Sequence, residues 1–132
     1  MSIELRLLAY SVALLFVLIM IQANVGILAH GSKTMAGPRD AMPADTTFQA
    51  RTRRTVANHI ENLAVFAPLV LIAAIAQVSN EWTVLGARLF FYSRVAHAIL
   101  YLAGVPWLRA LAWFIGVIGT VMIFLALFGI LK

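Results

Sequence analysis

The sequence contains no cysteine, which excludes a disulfide, a thiolate metal site and a cysteine nucleophile. Charge is scarce too: 11% of the 132 residues are Asp, Glu, Lys or Arg, against 63% hydrophobic. A soluble domain needs about a quarter of its residues charged to cover its surface, so lipid must serve as solvent for most of this chain. Acid is scarcest, with five Asp and Glu against ten Lys and Arg, a net charge of +5. The basic residues gather in one loop and at the ends of apolar runs, with no nucleic-acid-binding pattern around them, so they read as membrane topology and no nucleic-acid partner is expected. His30, His59 and His97 lie on separate segments without a ligand-spaced pair, so no metal is expected. No Ser–His–Asp pattern or glycine-rich phosphate loop is present either.

What is present is four apolar runs, at about residues 3–28, 56–78, 82–103 and 107–131. Each has about 20 residues or more, enough to cross a hydrocarbon core of ~30 Å at ~1.5 Å per residue. The first run resembles a secretory signal, but it is longer than an ordinary signal core and Glu4 interrupts its basic start, so it is read as an uncleaved span. The links after the second and third runs, "SNE" and "GVP", are tight, which makes those helices antiparallel neighbours. The expected fold is all-α: one integral membrane domain, a four-helix bundle with a loop over about residues 29–55. That loop holds Lys33, Arg39, Arg51, Arg53 and Arg54, and Arg109 flanks the third link, so both are expected in the cytoplasm and both termini on the opposite side. Trp82, Trp107 and Trp113 fall at or near span ends, as interfacial anchors do. "AGPRDAMPAD" has the Gly-Pro and Pro-x-Asp chemistry of turns, read either as an ordered cover over the cytoplasmic face or as a solvated linker.

The polar residues inside the spans carry the functional signal. Arg54, Asn58 and Glu61 recur at i, i+4 and i+7, on one face of the second span at its cytoplasmic end. Arg94, His97 and Tyr101 recur at i, i+3 and i+7 on the third span, which runs towards the same end, and Arg109 opens the fourth span there. A charge towards the bilayer interior costs a few kcal/mol, so such residues face protein or water and are usually paired. A Glu61 pair with Arg94 or Arg54 would be purely structural. Positive charge is in excess, however, and unpaired arginine forks at a membrane cavity suit a carboxylate or thiolate. Arg88 is read as snorkelling or structurally paired. His59 and Asn62 sit one position off the main stripe, towards a neighbouring subunit or a helix–helix hydrogen bond. Pro68 is expected to kink the second span, and the glycines of the fourth to pack closely.

"RTRRTVANHIENLAVFAP" resembles the MAPEG superfamily pattern R-x-x-R-A-x-x-N-x-x-E, with Arg51, Arg54, Asn58 and Glu61 on its fixed positions. "SRVAHAILYLAGVPWLRA" resembles the same superfamily's third-helix pattern, R-x-x-H/Y-x-x-x-Y with a following Arg, through Arg94, His97, Tyr101 and Arg109. The superfamily comprises membrane-associated proteins in eicosanoid and glutathione metabolism. The resemblance extends over essentially the whole chain, and the loop looks like that of short bacterial members, which implies a bacterial inner membrane.

The resemblance implies a homotrimer with three glutathione sites between protomers near the cytoplasmic face. It implies glutathione as co-substrate, bound by Arg51, Arg54, Asn58, Glu61, Arg94, His97 and Tyr101, with Arg109 as the catalytic residue stabilising the thiolate. The second substrate would be a hydrophobic small molecule arriving from the lipid bilayer. The expected activity is that of a membrane glutathione transferase, a detoxifying conjugation with a possible accompanying peroxidase activity. Several positions depart from the pattern: Ala110 where some members carry a hydroxyl, Thr55 for Ala, Ala50 for an acid, and no Arg at the end of the first span, where His30 or Lys33 could substitute. These departures keep open a non-catalytic glutathione- or lipid-binding member of the same fold. A small multidrug exporter would need an acid within the first helix, which beyond Glu4 has none.

Overall fold

A computed structural model describes all of residues 1–132. It is all-helical: α1 (Ile3–His30), α2 (Ser32–Ala36), a 3-10 turn (Arg39–Ala41), α3 (Thr47–Ile75), α4 (Glu81–Ala103) and α5 (Pro106–Leu127). Local chemistry sets the boundaries. The Ser2 hydroxyl caps α1 by accepting from the Leu5 N–H at 3.3 Å, and Thr46 caps α3 by accepting from the Gln49 N–H at 3.1 Å. Asn80 and Thr83 form a reciprocal capping box at the start of α4, where each side chain accepts from the other's backbone N–H at 3.0 Å. Gly104 ends α4 in the left-handed region at φ +77°, a conformation open to glycine without steric penalty. Pro106 then opens α5 at a position whose N–H has no helical partner to lose.

Three helices, α1, α3 and α5, are long and apolar enough to cross a bilayer. The expectation of four such segments is met in number of long helices but not in apolarity: α4 has 23 residues, and Arg88, Arg94 and His97 interrupt its apolar run. α4 packs against α1, α3 and α5, which shelters Arg94 and His97 in protein rather than lipid. α3 begins at Thr47, inside the segment read as loop, because its polar first turns "TFQARTRR" carry no apolar signal although they are good helix formers. It continues without interruption through Pro68 to Ile75. The preceding loop is ordered by α2 and the 3-10 turn, with the Arg39 guanidinium donating twice to the Met35 carbonyl at 3.0 and 3.2 Å.

The core centres on a stacked pair, Phe66 of α3 and Phe90 of α4, with ring centroids 3.7 Å apart and both fully buried. Leu7 and Leu8 of α1 and Ile123 of α5 close around them. α4 and α5 approach along a line of small residues. A Cβ on Gly86 would lie 2.6 Å from the Gly119 carbonyl oxygen, and one on Gly116 would lie 2.7 Å from the Ser93 hydroxyl. Such a seam lets two backbones touch, which is how helices gain attraction where lipid removes the hydrophobic drive.

The two ends of the bundle differ. At one end Glu4, 4% exposed, accepts through Oε1 from Ser79 at 2.9 Å and Thr83 at 2.6 Å, joining α1 to the link before α4 and to the first turn of α4. At the other end the α4–α5 turn meets the first turns of α3, with the Arg51 guanidinium lying on Gly104. The first and third links therefore share one end, the arrangement that antiparallel α3, α4 and α5 require. Large apolar side chains such as Phe16, Ile75, Leu111 and Phe114 stand exposed, the surface of a protein solvated by lipid or by further copies.

Candidate functional site

Three adjoining clefts open at the end that holds the third link. The first, of about 330 Å³, is lined by Arg51 and Arg54 of α3, Tyr101 of α4, the Gly104–Pro106 turn and Arg109 of α5. The second, of about 270 Å³, shares Tyr101 and Arg109 and adds Asn58, His97, Ala110 and Trp113. The third, of about 460 Å³, shares Asn58 and Trp113 and runs on between α3 and α5 past Glu61 and Val65 to Val121. Together they form a furrow that is basic at one end, aromatic and amidic in the middle, and apolar at the other.

Helical period accounts for this grouping. Arg51, Arg54, Asn58 and Glu61 step along one face of α3, and His97 and Tyr101 stand one turn apart on α4. The His97 and Tyr101 rings meet edge to face at 5.5 Å. The Arg109 guanidinium lies over the Tyr101 ring, 4.3 Å from its centroid, a cation–π contact that fixes the charge without neutralising it. The only ion pair in the chain is Arg53 with Asp45 at 3.0 Å, outside the furrow. Arg51, Arg54 and Arg109 thus have no carboxylate partner, and Glu61, exposed on the furrow wall, has no basic one. The structural ion pair considered for Glu61 does not form.

Arg94 takes a different place from the other arginines. It is 1% exposed and stands behind the furrow wall. Its Nη2 donates to Asn58 Oδ1 at 2.8 Å and meets His97 Nδ1 at 3.3 Å, and its Nε donates to His59 Nδ1 at 3.4 Å. His59 is fully buried and its Nε2 meets the Ser11 carbonyl of α1 at 2.9 Å, so it makes a helix–helix hydrogen bond within the chain. Asn62 turns back to Asn58, donating to its carbonyl at 2.8 Å. Neither His59 nor its partner Ser11 was marked as a site residue by spacing. The signal available was a polar residue within each apolar run, which requires a partner once buried.

A larger cavity, of about 510 Å³, lies between the end of α1, α2 and the start of α3. Its two arginines are already occupied, Arg39 by the Met35 carbonyl and Arg53 by Asp45, so it offers an anion less than the furrow does. No group of acidic, histidine or cysteine side chains could hold a metal ion.

A helical bundle with three helices apolar and long enough to cross a bilayer is that of an integral membrane protein, and the arginine cluster along its furrow, free of ion pairs, is the candidate site in it. Residues 7–129 match the MAPEG family, nearly the whole chain, and the protein belongs to that family of membrane-associated proteins in eicosanoid and glutathione metabolism. No curated protein and no solved structure matches it.

Proposed function

We propose that the protein is a membrane glutathione transferase, joining the glutathione thiolate to hydrophobic electrophiles, with peroxidase activity as the related reaction on apolar hydroperoxides. The observation that carries this reading is the unpaired trio Arg51, Arg54 and Arg109 around Tyr101. Glutathione brings two carboxylates, an ammonium and a thiol. Arg51 and Arg54 take the carboxylates as bidentate forks, Glu61 takes the ammonium, and Asn58, His97 and Tyr101 hold the peptide between them. Arg94 supports that wall from behind. Arg109 faces the sulfur: lowering a thiol pKa by one unit requires only about 1.4 kcal/mol of preference for the anion, which a nearby guanidinium can supply. The attacking thiolate forms the carbon–sulfur bond as the leaving group, or the opened ring oxygen, departs with the electron pair.

The apolar stretch from Trp113 to Val121 suits an electrophile that enters sideways from the bilayer. The exposed apolar faces suit assembly as a homotrimer, with each site completed by a neighbour. The basic end of the furrow suits the cytoplasmic face of a bacterial inner membrane, with both termini on the far side.

A second reading, a glutathione- or lipid-binding protein without catalysis, is favoured by Ala110. It lines the cleft beside Arg109 and offers no hydroxyl to the sulfur.

Glutathione titration of the detergent-solubilised protein, followed by ultraviolet thiolate absorbance, separates these readings. The transferase reading expects thiolate at neutral pH in the wild type and its loss in Arg109→Ala. Binding without thiolate would favour the second reading, and absence of binding would refute both for glutathione.

A further inference from the structure

Arg94 is a buried cation with no carboxylate near it, one whose Nη1 has no hydrogen-bond partner at all. A guanidinium can only donate. Each atom it meets must therefore accept, and that fixes three groups whose orientation is otherwise free. Asn58 must present Oδ1 to Arg94, so its Nδ2 points the other way. His59 and His97 must each present a bare Nδ1, so each neutral ring carries its proton on Nε2.

His59 checks the logic internally. Its Nε2 lies 2.9 Å from the Ser11 carbonyl oxygen, an atom that can only accept, so an Nε2–H is required from that side as well. The other two products of the same constraint, Asn58 Nδ2 and His97 Nε2, have no partner within the chain. Both residues line the same cleft as Arg109.

We infer that Arg94 is a positioning residue that makes Asn58 and His97 present donors, and not acceptors, to this cleft. One buried charge, facing away from the ligand, turns an amide and an imidazole into N–H donors aimed at the space beside the Arg109 guanidinium. These two donors then favour an anionic sulfur or carboxylate, which only accepts, over a neutral thiol or hydroxyl, whose own proton finds no acceptor on either side chain. The tautomers stand on geometry alone; the identity of the anion as glutathione rests on the proposed function.

The experiment uses the full-length protein labelled with 15N-histidine in detergent, without ligand, because protonated and bare ring nitrogens resonate far apart. Wild type should show His59 and His97 both as the Nε2–H form, with His97→Gln and His30→Gln assigning the signals of the three histidines. In Arg94→Gln, His97 should shift towards a mixture of tautomers while His59, still held by the Ser11 carbonyl, should not. A merely structural role for Arg94 would disturb both rings together. Glutathione affinity is the second readout. His97→Leu should weaken it roughly tenfold, the loss of one hydrogen bond to a charged group, while His97→Gln, which keeps a donor near the Nε2 position, should largely retain it. Finding His97 protonated on Nδ1 in the wild type, or unchanged in Arg94→Gln, would overturn the proposal. Correct tautomers in a protein that does not bind glutathione would leave Arg94's role standing and remove only the ligand.

Discussion

Gly119→Ala tests how closely α4 and α5 approach. The added methyl would collide with the Gly86 carbonyl oxygen and would lie 2.9 Å from the Phe90 nitrogen, whereas ordinary van der Waals contact begins at 3.4 Å. Both obstacles are backbone, so neither can rotate away, and the helices must part by about 0.5 Å or more to restore ordinary contact. Overpacking of this kind costs about 1–3 kcal/mol, while replacing a helical glycine by alanine returns about 1 kcal/mol. The expected net loss is up to about 2 kcal/mol, a fall of up to roughly 8 °C in the thermal midpoint. Gly26→Ala is the control, because the one atom its methyl would crowd is Met35 Cε at 2.8 Å, the free end of a flexible side chain. That variant should melt at or slightly above the wild-type temperature. Both are compared in one detergent at one scan rate, since membrane proteins often unfold irreversibly. Because α4 carries Tyr101 and α5 carries Arg109, Gly119→Ala should also weaken glutathione binding. Equal midpoints for the two variants would refute the close seam.

Gly104→Ala forces a side chain into the left-handed region, at about 1–2 kcal/mol, and sets a methyl 2.7 Å from the Arg51 guanidinium. It should lower the melting midpoint and weaken glutathione binding together; an unchanged affinity would show that Arg51 is not held by this turn. At the opposite end, Glu4 has one oxygen accepting from Ser79 and Thr83 and the other buried without a partner. Glu4→Gln keeps the useful acceptor and should melt within about 1 kcal/mol of wild type, whereas Glu4→Ala should lose about 1–3 kcal/mol. If Gln proved as damaging as Ala in parallel melts, the charge rather than the acceptor would be what holds α1.

The sequence revealed the furrow better than it revealed what stands behind it. The intervals among Arg54, Asn58 and Glu61, and among Arg94, His97 and Tyr101, are helical steps, so a shared face follows from period alone. Depth does not. Arg94 lies on the same face of α4 as His97, yet one turn away it meets Asn58 and His59 of α3 instead of the cleft. His59 finds Ser11 on α1, and Glu4 finds Thr83 on α4, pairings far apart in sequence that only the assembled bundle brings together. The start of α3 was hidden for the converse reason. Hydropathy marks where a helix meets lipid, and Thr47 to Arg54 is helix that meets mostly other polar groups.

The hydrogen bond between His30, the last residue of α1, and the buried Gln49, in the first turn of α3, measures 2.8 Å. It closes the base of everything from Gly31 to Phe48. With that neck fastened, α1 and α3 hold their register however the chain between them is drawn, and closure entropy grows only logarithmically with loop length. The segment from Asp40 to Ala44, between the contacts of Arg39 with Met35 and of Asp45 with Arg53, is therefore the place where this protein can be lengthened, tagged or cut while its helices stay in step.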